Sequence, residues 1–265
     1  MSLGGCLSAA GKKTVRERLV AEVGGYLRNV VREPYMTCAV CATPIKPAFD
    51  LCRRCRCDQR KFSPKLAELI VPIWYGIRGR QSGYLMHSYK DLEAPVRHNQ
   101  TLLGLLLLAV LDFHGRCIEH RLGQQADAWA FVPSVRIDRT GEHPLHMVAK
   151  RAGLTLPEIQ LVAGERAEQK QRATSANRFT LAANSRVRGR HILLLEDTWT
   201  TGGNAQSATL TLRDGGAASV TIVVLARWLK PEKSPTATFV TSRLTNDYDP
   251  LICPLYDPDC TVHRC

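Results

Sequence analysis

Residues 191–207 read HILLLEDTWTTGGNAQS. The run HILLL over 191–195 predicts a strand buried on both faces, since it shows no polar alternation. The strand ends in two carboxylates, Glu196 and Asp197. Thr198 and Trp199 lead into a turn made of Thr200, Thr201, Gly202, Gly203 and Asn204, and residues 203–214 look helical. A strand, a tight turn and a helix in this order mark the C-terminal edge of a parallel sheet, where open α/β folds bind ligands. The glycines let the backbone come close to a phosphate, and the N–H groups and dipole at the helix start attract it. The hydroxyls of Thr200 and Thr201 add donors, while the carboxylates suit sugar hydroxyls or a hydrated cation. Together these residues describe a ribose-phosphate site. A Walker loop is excluded, because no Gly-Lys-Ser/Thr follows. The alternative is an ordinary strand–turn–helix, but the acidic, threonine and glycine pairs coincide in one turn.

The flanking sequence supports an α/β chain. Residues 128–132 (AWAFV) and 219–226 (SVTIVVLA) predict further buried strands, and 159–162 a short one. Helices are expected over 98–120 and 143–152. Strands alternating with helices imply a parallel sheet. Residues 68–90 alternate apolar and polar around Gly76, Gly79 and Gly83, which predicts a hairpin. Residues 12–33 predict an amphipathic helix carrying Val15, Leu19, Val23, Leu27 and Val30, interrupted by Gly24-Gly25 and ended by Pro34. Residues 163–190 are polar without strong periodicity. The tail from Pro231 holds five prolines and is expected to be irregular or to dock late.

The chain has 265 residues and a formal charge of +12. Its 45% hydrophobic content excludes a disordered chain, and its length excludes a small disulfide-stapled scaffold. No stretch approaches the roughly 20 apolar residues of a membrane span; residues 101–111 (TLLGLLLLAVL) fit a buried helix. The start, MSLGGCLSAAGKK, places its basic residues after the weakly apolar part, unlike a secretory signal. A cytoplasmic protein without membrane contact is expected. Residues 1–80 hold 15 Lys/Arg against 6 Asp/Glu, a net +9, so the basic excess sits in the first third. Such a stripe can face single-stranded DNA, another polyanion or a protein partner, or be only a soluble surface.

Cys38-x2-Cys41 is followed by Cys52-x2-Cys55. Two such turns close a tetrahedral Zn²⁺ site. Four thiolates leave no open position, so the zinc is structural and coupled to folding of the module. Cys57 is a fifth thiol nearby. Cys253, Cys260, His263 and Cys265 in the tail offer three thiols and an imidazole but no CxxC turn; they make a weaker second candidate, with free thiols as the alternative. His114, Cys117 and His120 fall at i, i+3 and i+6 of the long helix and read as core or surface residues.

LLLEDTWTTGGN resembles the phosphoribosyl-pyrophosphate (PRPP) motif of type I phosphoribosyltransferases. With a zinc-ribbon-like module ahead of it, the chain is similar to the ComF family of competence-related proteins. Ser88-Tyr89-Lys90 resembles that family's early lysine element, residues 131–135 (FVPSV) its strand into the pyrophosphate loop, and Arg172, Asn177 and Phe179 its Arg…Asn-x-Phe segment. The resemblance covers about residues 38–226. It implies a type I phosphoribosyltransferase fold, a Rossmann-like parallel sheet, with a small N-terminal zinc-ribbon module. The divisions are an N-terminal helix (1–36), the zinc module (37–60), the α/β domain (61–230) and the tail (231–265).

By this resemblance Glu196 and Asp197 hold the ribose hydroxyls at the catalytic centre, Thr200, Thr201, Gly202, Gly203 and Asn204 hold the 5′-phosphate, and Thr198 belongs to the same PRPP-binding stretch. Mg²⁺ bridges ribose and pyrophosphate oxygens. Ser134 and Arg136 belong to the pyrophosphate loop at 133–136. Lys170 and Arg172 lie in a mobile lid within 165–178. The implied activity is transfer of phosphoribosyl from PRPP to a nitrogen acceptor that the sequence does not specify; the alternative is a non-catalytic PRPP or nucleotide sensor, or a DNA-binding accessory protein of DNA uptake. Residues 132–150 (VPSVRIDRTGEHPLHMVAK) depart from the family's VPVP-plus-basic pattern: Arg136 and Arg139 suit pyrophosphate, Glu142 and His143 do not. Trp199 takes a slot more often aliphatic and is expected to cover the ribose.

Overall fold

The computed structural model describes residues 7–90, 96–134, 142–164, 173–256 and 260. In chain order the elements are α1 (Ala9–Leu19), α2 (Arg53–Phe62), β1 (Leu69–Ile77), α3 (Gln81–Ser88), α4 (Val96–Leu122), β2 (Ala128–Phe131), α5 (Pro144–Arg151), β3 (Leu161–Ala163), β4 (Phe179–Leu181), β5 (His191–Trp199), α6 (Gly203–Asp214), β6 (Ser219–Leu229) and α7 (Thr236–Ser242). Four strands form a wholly parallel sheet in the order β1-β6-β5-β2. β3 and β4 pair antiparallel beside it.

Successive side chains of a strand point to opposite faces. Leu193, Leu195, Val223, Leu225, Val71 and Ile73 therefore share one core with α1, α4 and α5. Ile192, Leu194, Val220, Ile222, Val224 and Ile70 share the other with Ala205, Ala208 and Leu212 of α6 and with Cys38, Cys41 and Cys55. The sheet is sandwiched, which is why its strands read as continuous apolar runs. The cysteine module is part of the layer that covers the sheet.

α4 is the long core helix the sequence implied. Its 27 residues and an 18-residue window of mean hydropathy 1.6 are long and apolar enough to cross a membrane, more than the run over 101–111 suggested. Of that window 72% is buried inside the fold. Gly104 lets α5 approach: a Cβ there would lie 2.7 Å from the Cβ of Arg151.

Two expectations are corrected. Residues 68–90 form no hairpin. β1 runs parallel to β6, the chain turns at Gly79 (φ 77°), and α3 follows. Eight of the nine β1 residues are buried, so the strand is not the half-polar type a hairpin needs, and the Ser82 hydroxyl accepts from the Ile77 N–H to start the helix (3.1 Å). The N-terminal helix also stops early: α1 passes into a π-helical turn over Val20–Gly24, and the chain then extends. Its five apolar positions are nonetheless buried. The tail docks. Phe239, Val240 and Leu244 pack with Tyr75, Ile77 and Leu229, and the Tyr248 N–H bonds the Gly24 carbonyl at 3.0 Å.

Candidate functional site

Glu196, Asp197 and Thr198 sit half-buried in the C-terminal part of β5. The segment after α3 comes to them. The Tyr89 hydroxyl donates to Asp197 Oδ2 at 2.8 Å, and Lys90 Nζ pairs with the same oxygen. α4 holds this segment, since Asn99 Nδ2 donates to Ser88 Oγ at 2.9 Å. Residues 108 positions apart in sequence thus meet at one carboxylate. Burial opposes ionisation of Asp197, but Lys90 and the Tyr89 hydroxyl outweigh it and hold its pKa at about 2. Burial, then the Asp197 charge, pushes Glu196 well above its ordinary 4.5. Asp197 therefore carries the negative charge of the pair more readily than Glu196.

This has a measurable consequence. A carboxyl whose folded pKa is raised contributes stability below its unfolded value and loses it as pH rises through the folded value. Glutamine mimics the protonated form. Glu196→Gln is expected to raise the Tm, with a larger gain at pH 8 than at pH 5, read by thermal unfolding at both. An equal shift at the two values would contradict the raised pKa.

The turn after β5 is shaped by Gly202. Its φ is +78°, and a Cβ there would lie 2.1 Å from Trp199 Cζ2. Trp199 is 2% exposed beneath the turn, so it supports the loop from below and does not cover a ribose as expected. Arg227, 4% exposed, braces the turn from β6: its Nη1 donates to the carbonyls of Trp199 (2.5 Å) and Thr200 (3.3 Å). α6 then starts with Gly202 as N-cap and no capping side chain. The first N–H groups of a helix have no intrahelical acceptor, so this end suits an anion.

A second segment meets this end. Arg178 Nη1 donates to Asn204 Oδ1 at 2.5 Å, and the Ser175 N–H donates to Ser207 Oγ at 2.9 Å. Thr174 Oγ1 in turn donates to Asp58 Oδ2 of α2 (3.1 Å), which also accepts from Arg54 Nε (3.0 Å). The cysteine module is therefore joined through residues 174–178 to the first turn of α6. Sequence reasoning missed Arg178 and Arg227. The signal for Arg227 was a lone arginine in an apolar strand; Arg178 stood next to the quoted Asn177 and Phe179.

Of the predicted residues, the structure brings together Glu196, Asp197, Thr198, Thr200, Thr201, Gly202, Gly203 and Asn204 at one sheet edge. Ser134 follows β2, the strand paired with β5. Arg136, Arg139, Lys170 and Arg172 lie outside the described residues, as do His263 and Cys265. Glu142 and His143, unexpected for a pyrophosphate loop, serve the start of α5. His143 caps it by accepting from the Leu145 N–H (3.2 Å), and Glu142 pairs with Lys150 (2.5 Å) and His146 (2.7 Å).

Cys38, Cys41, Cys52 and Cys55 bring their sulfurs within 4.8 Å of one another, a set that could hold a metal ion. Cys41 and Cys52 Sγ are 3.9 Å apart, close to the ~3.8 Å edge of a ZnS₄ tetrahedron with Zn–S of about 2.3 Å. Cys52 caps α2, accepting from the Cys55 N–H. Cys57 is exposed and stands apart. Arg32 staples the module to the sheet, donating to the carbonyls of Ala39 (2.9 Å) and Ile70 (2.8 Å).

Solved phosphoribosyltransferases resemble part of this chain. A hypoxanthine phosphoribosyltransferase from Staphylococcus aureus is 14% identical over 45% of this chain and 62% of its own, with a TM-score of 0.29. An adenine phosphoribosyltransferase from Leishmania tarentolae is 15% identical over 51% and 72%, with a TM-score of 0.30. An orotate phosphoribosyltransferase from Mycobacterium tuberculosis, solved with inorganic phosphate, is 17% identical over 51% and 69%, with a TM-score of 0.27. This chain thus spans less than two thirds of the Staphylococcus aureus protein. No family model and no curated protein matches the sequence.

Proposed function

We propose that this protein is a ComF-like, PRPP-binding phosphoribosyltransferase with a structural zinc in its Cys38–Cys41–Cys52–Cys55 module. The observation that carries the reading is the placement of two carboxyl groups, Glu196 and Asp197, at the same strand end as an uncapped glycine turn into α6. That pairing matches a ribose 5-phosphate: hydroxyls for the acids, phosphate for the turn. Asp197 and Glu196 take the two ribose hydroxyls. Thr200, Thr201 and the N–H groups of Gly203 and Asn204 take the 5′-phosphate. Lys90 sets the charge of Asp197. The hard carboxylate oxygens of Asp197, with those of Glu196 when ionised, would suit Mg²⁺, which would supply positive charge against the leaving pyrophosphate.

In the reaction, the acceptor nitrogen bonds to the anomeric carbon as the bond from that carbon to the pyrophosphate oxygen breaks, and the electron pair leaves with pyrophosphate. The protein's part is positioning and charge neutralisation. A screen of nitrogen bases with PRPP and Mg²⁺, scored by pyrophosphate release, tests this. Acceptor-dependent release, lost in Asp197→Asn, is expected. PRPP binding without release for any acceptor would replace the enzyme with a PRPP sensor. The exposed basic residues of α2, Arg53, Arg60 and Lys61, would then be its contact with DNA or another polyanion.

A further inference from the structure

Cys253 and Cys260 of the tail meet His114 and Cys117 of the long helix in space. His114 and Cys117 lie one turn apart on α4, and the tail brings Cys253 to them. The three ligand atoms lie within 4.8 Å of one another, and the residues are 1%, 0% and 3% exposed. Cys260 stands outside that mutually close trio but is the thiol beside it that can complete the shell, its Sγ 3.6 Å from that of Cys117. That is far beyond a disulfide bond of about 2.05 Å and close to the ~3.8 Å sulfur–sulfur edge of a tetrahedral zinc site. The Cys41–Cys52 separation of 3.9 Å in the other cluster is of the same kind.

The histidine is oriented as a metal ligand. Its Nε2 lies 2.8 Å from the Pro250 carbonyl, an acceptor only, so Nε2 carries the proton. Metal-bound imidazoles are typically held this way, by a carbonyl on the other ring nitrogen. Three soft thiolates and one imidazole select zinc over magnesium or calcium.

We propose that His114, Cys117, Cys253 and Cys260 bind a second structural Zn²⁺, which locks the C-terminal segment onto α4. The rest of that segment already forms a strap. Asp249 pairs with Arg16 of α1 at 2.6 Å and accepts Asn29 Nδ2 at its carbonyl, and the Pro254 carbonyl accepts from Arg32 Nε at 3.0 Å. Arg32 also holds the Cys38–Cys55 module, so the strap and that module share a clamp. His120, the third member of the helical trio, is not a ligand; its ring packs edge-on against Tyr256. The zinc would convert a run of single contacts into a fixed closure, with four protein ligands and no open position for chemistry.

The test uses the full chain purified without chelator. Metal analysis is expected to find about two zinc per chain, and X-ray absorption about 3.5 sulfurs and 0.5 imidazole nitrogens per zinc, the mean of a Cys₄ and a Cys₃His site. Cys253→Ser is expected to retain one zinc with an all-sulfur shell. Because the wild-type absorption needs no variant, a poorly folding mutant does not weaken the test. One zinc per chain with one nitrogen in its shell would keep this site and remove the other. One zinc bound only by sulfur, or a disulfide among Cys117, Cys253 and Cys260 in freshly purified protein, would overturn it.

Discussion

Gly202→Ala is expected to weaken PRPP binding roughly 100-fold and to destabilise the fold. Two independent costs fall on this one methyl group. The φ of +78° lies in the left-handed region, where a non-glycine residue costs of order 1–3 kcal/mol. The new Cβ would also sit 2.1 Å from the indole of Trp199, which is buried and cannot move aside without cost. Overpacking of this kind costs about 1–3 kcal/mol more. The sum is a substantial fraction of the ~5–15 kcal/mol that holds a typical domain together. The turn would shift to relieve the contact, carrying Thr200, Thr201 and the start of α6 with it. A misplacement near 1 Å can cost roughly 100-fold, and a loss of that size in PRPP affinity is expected by calorimetry. The double variant Gly202→Ala with Trp199→Leu should regain part of the stability but not all, because the backbone strain remains. A single variant with wild-type Tm and affinity would contradict the geometry of the turn.

The second large effect belongs to the cysteine module. Cys38→Ser is expected to lose the zinc of that site and lower the Tm by roughly 10 °C or more, since structural zinc contributes about 10–16 kcal/mol in small zinc modules, and each kcal/mol is about 2–4 °C at this size. The damage should not stay local. Cys38 and Cys41 pack in the same core as Ile70, Ile222 and Trp199, and Asp58 of α2 holds Thr174 beside the α6 start. PRPP affinity should therefore fall in this variant although none of the four cysteines touches the proposed ligand site. A variant that loses its zinc yet keeps its Tm and PRPP affinity would show the module to be an appendage.

The parts of this fold that could be read from sequence are those set by local chemistry. β5, α6 and β6 announced themselves because a sandwiched strand must be apolar throughout and a glycine turn must separate it from the following helix. The four thiols of the module were visible because CxxC turns fix their spacing locally. What escaped depended on distant partners. Lys90 was visible only as part of a resemblance; its grip on Asp197 comes from α4 holding residues 88–90 against the end of β5. Arg178 and Arg227 act on backbone or amide oxygens that no local pattern announces. The hairpin expected over 68–90 failed because periodicity of two cannot tell a parallel strand followed by a helix from two antiparallel strands when glycines punctuate both. His114 and Cys117 looked like core residues on the helix, and Cys253 and Cys260 like stray thiols in the tail. Only the strap that returns across α1 and α4 makes them neighbours.

The central claim is that the acidic pair and the glycine turn form one site for PRPP. Calorimetric titration of the full chain with PRPP in Mg²⁺, for the wild type and for Asp197→Asn, tests it most directly. The wild type is expected to bind about one PRPP per chain, and the variant, folded by circular dichroism, to give no detectable heat. A well-folded wild type that ignores PRPP, or an Asp197→Asn variant that binds as tightly as the wild type, would contradict it.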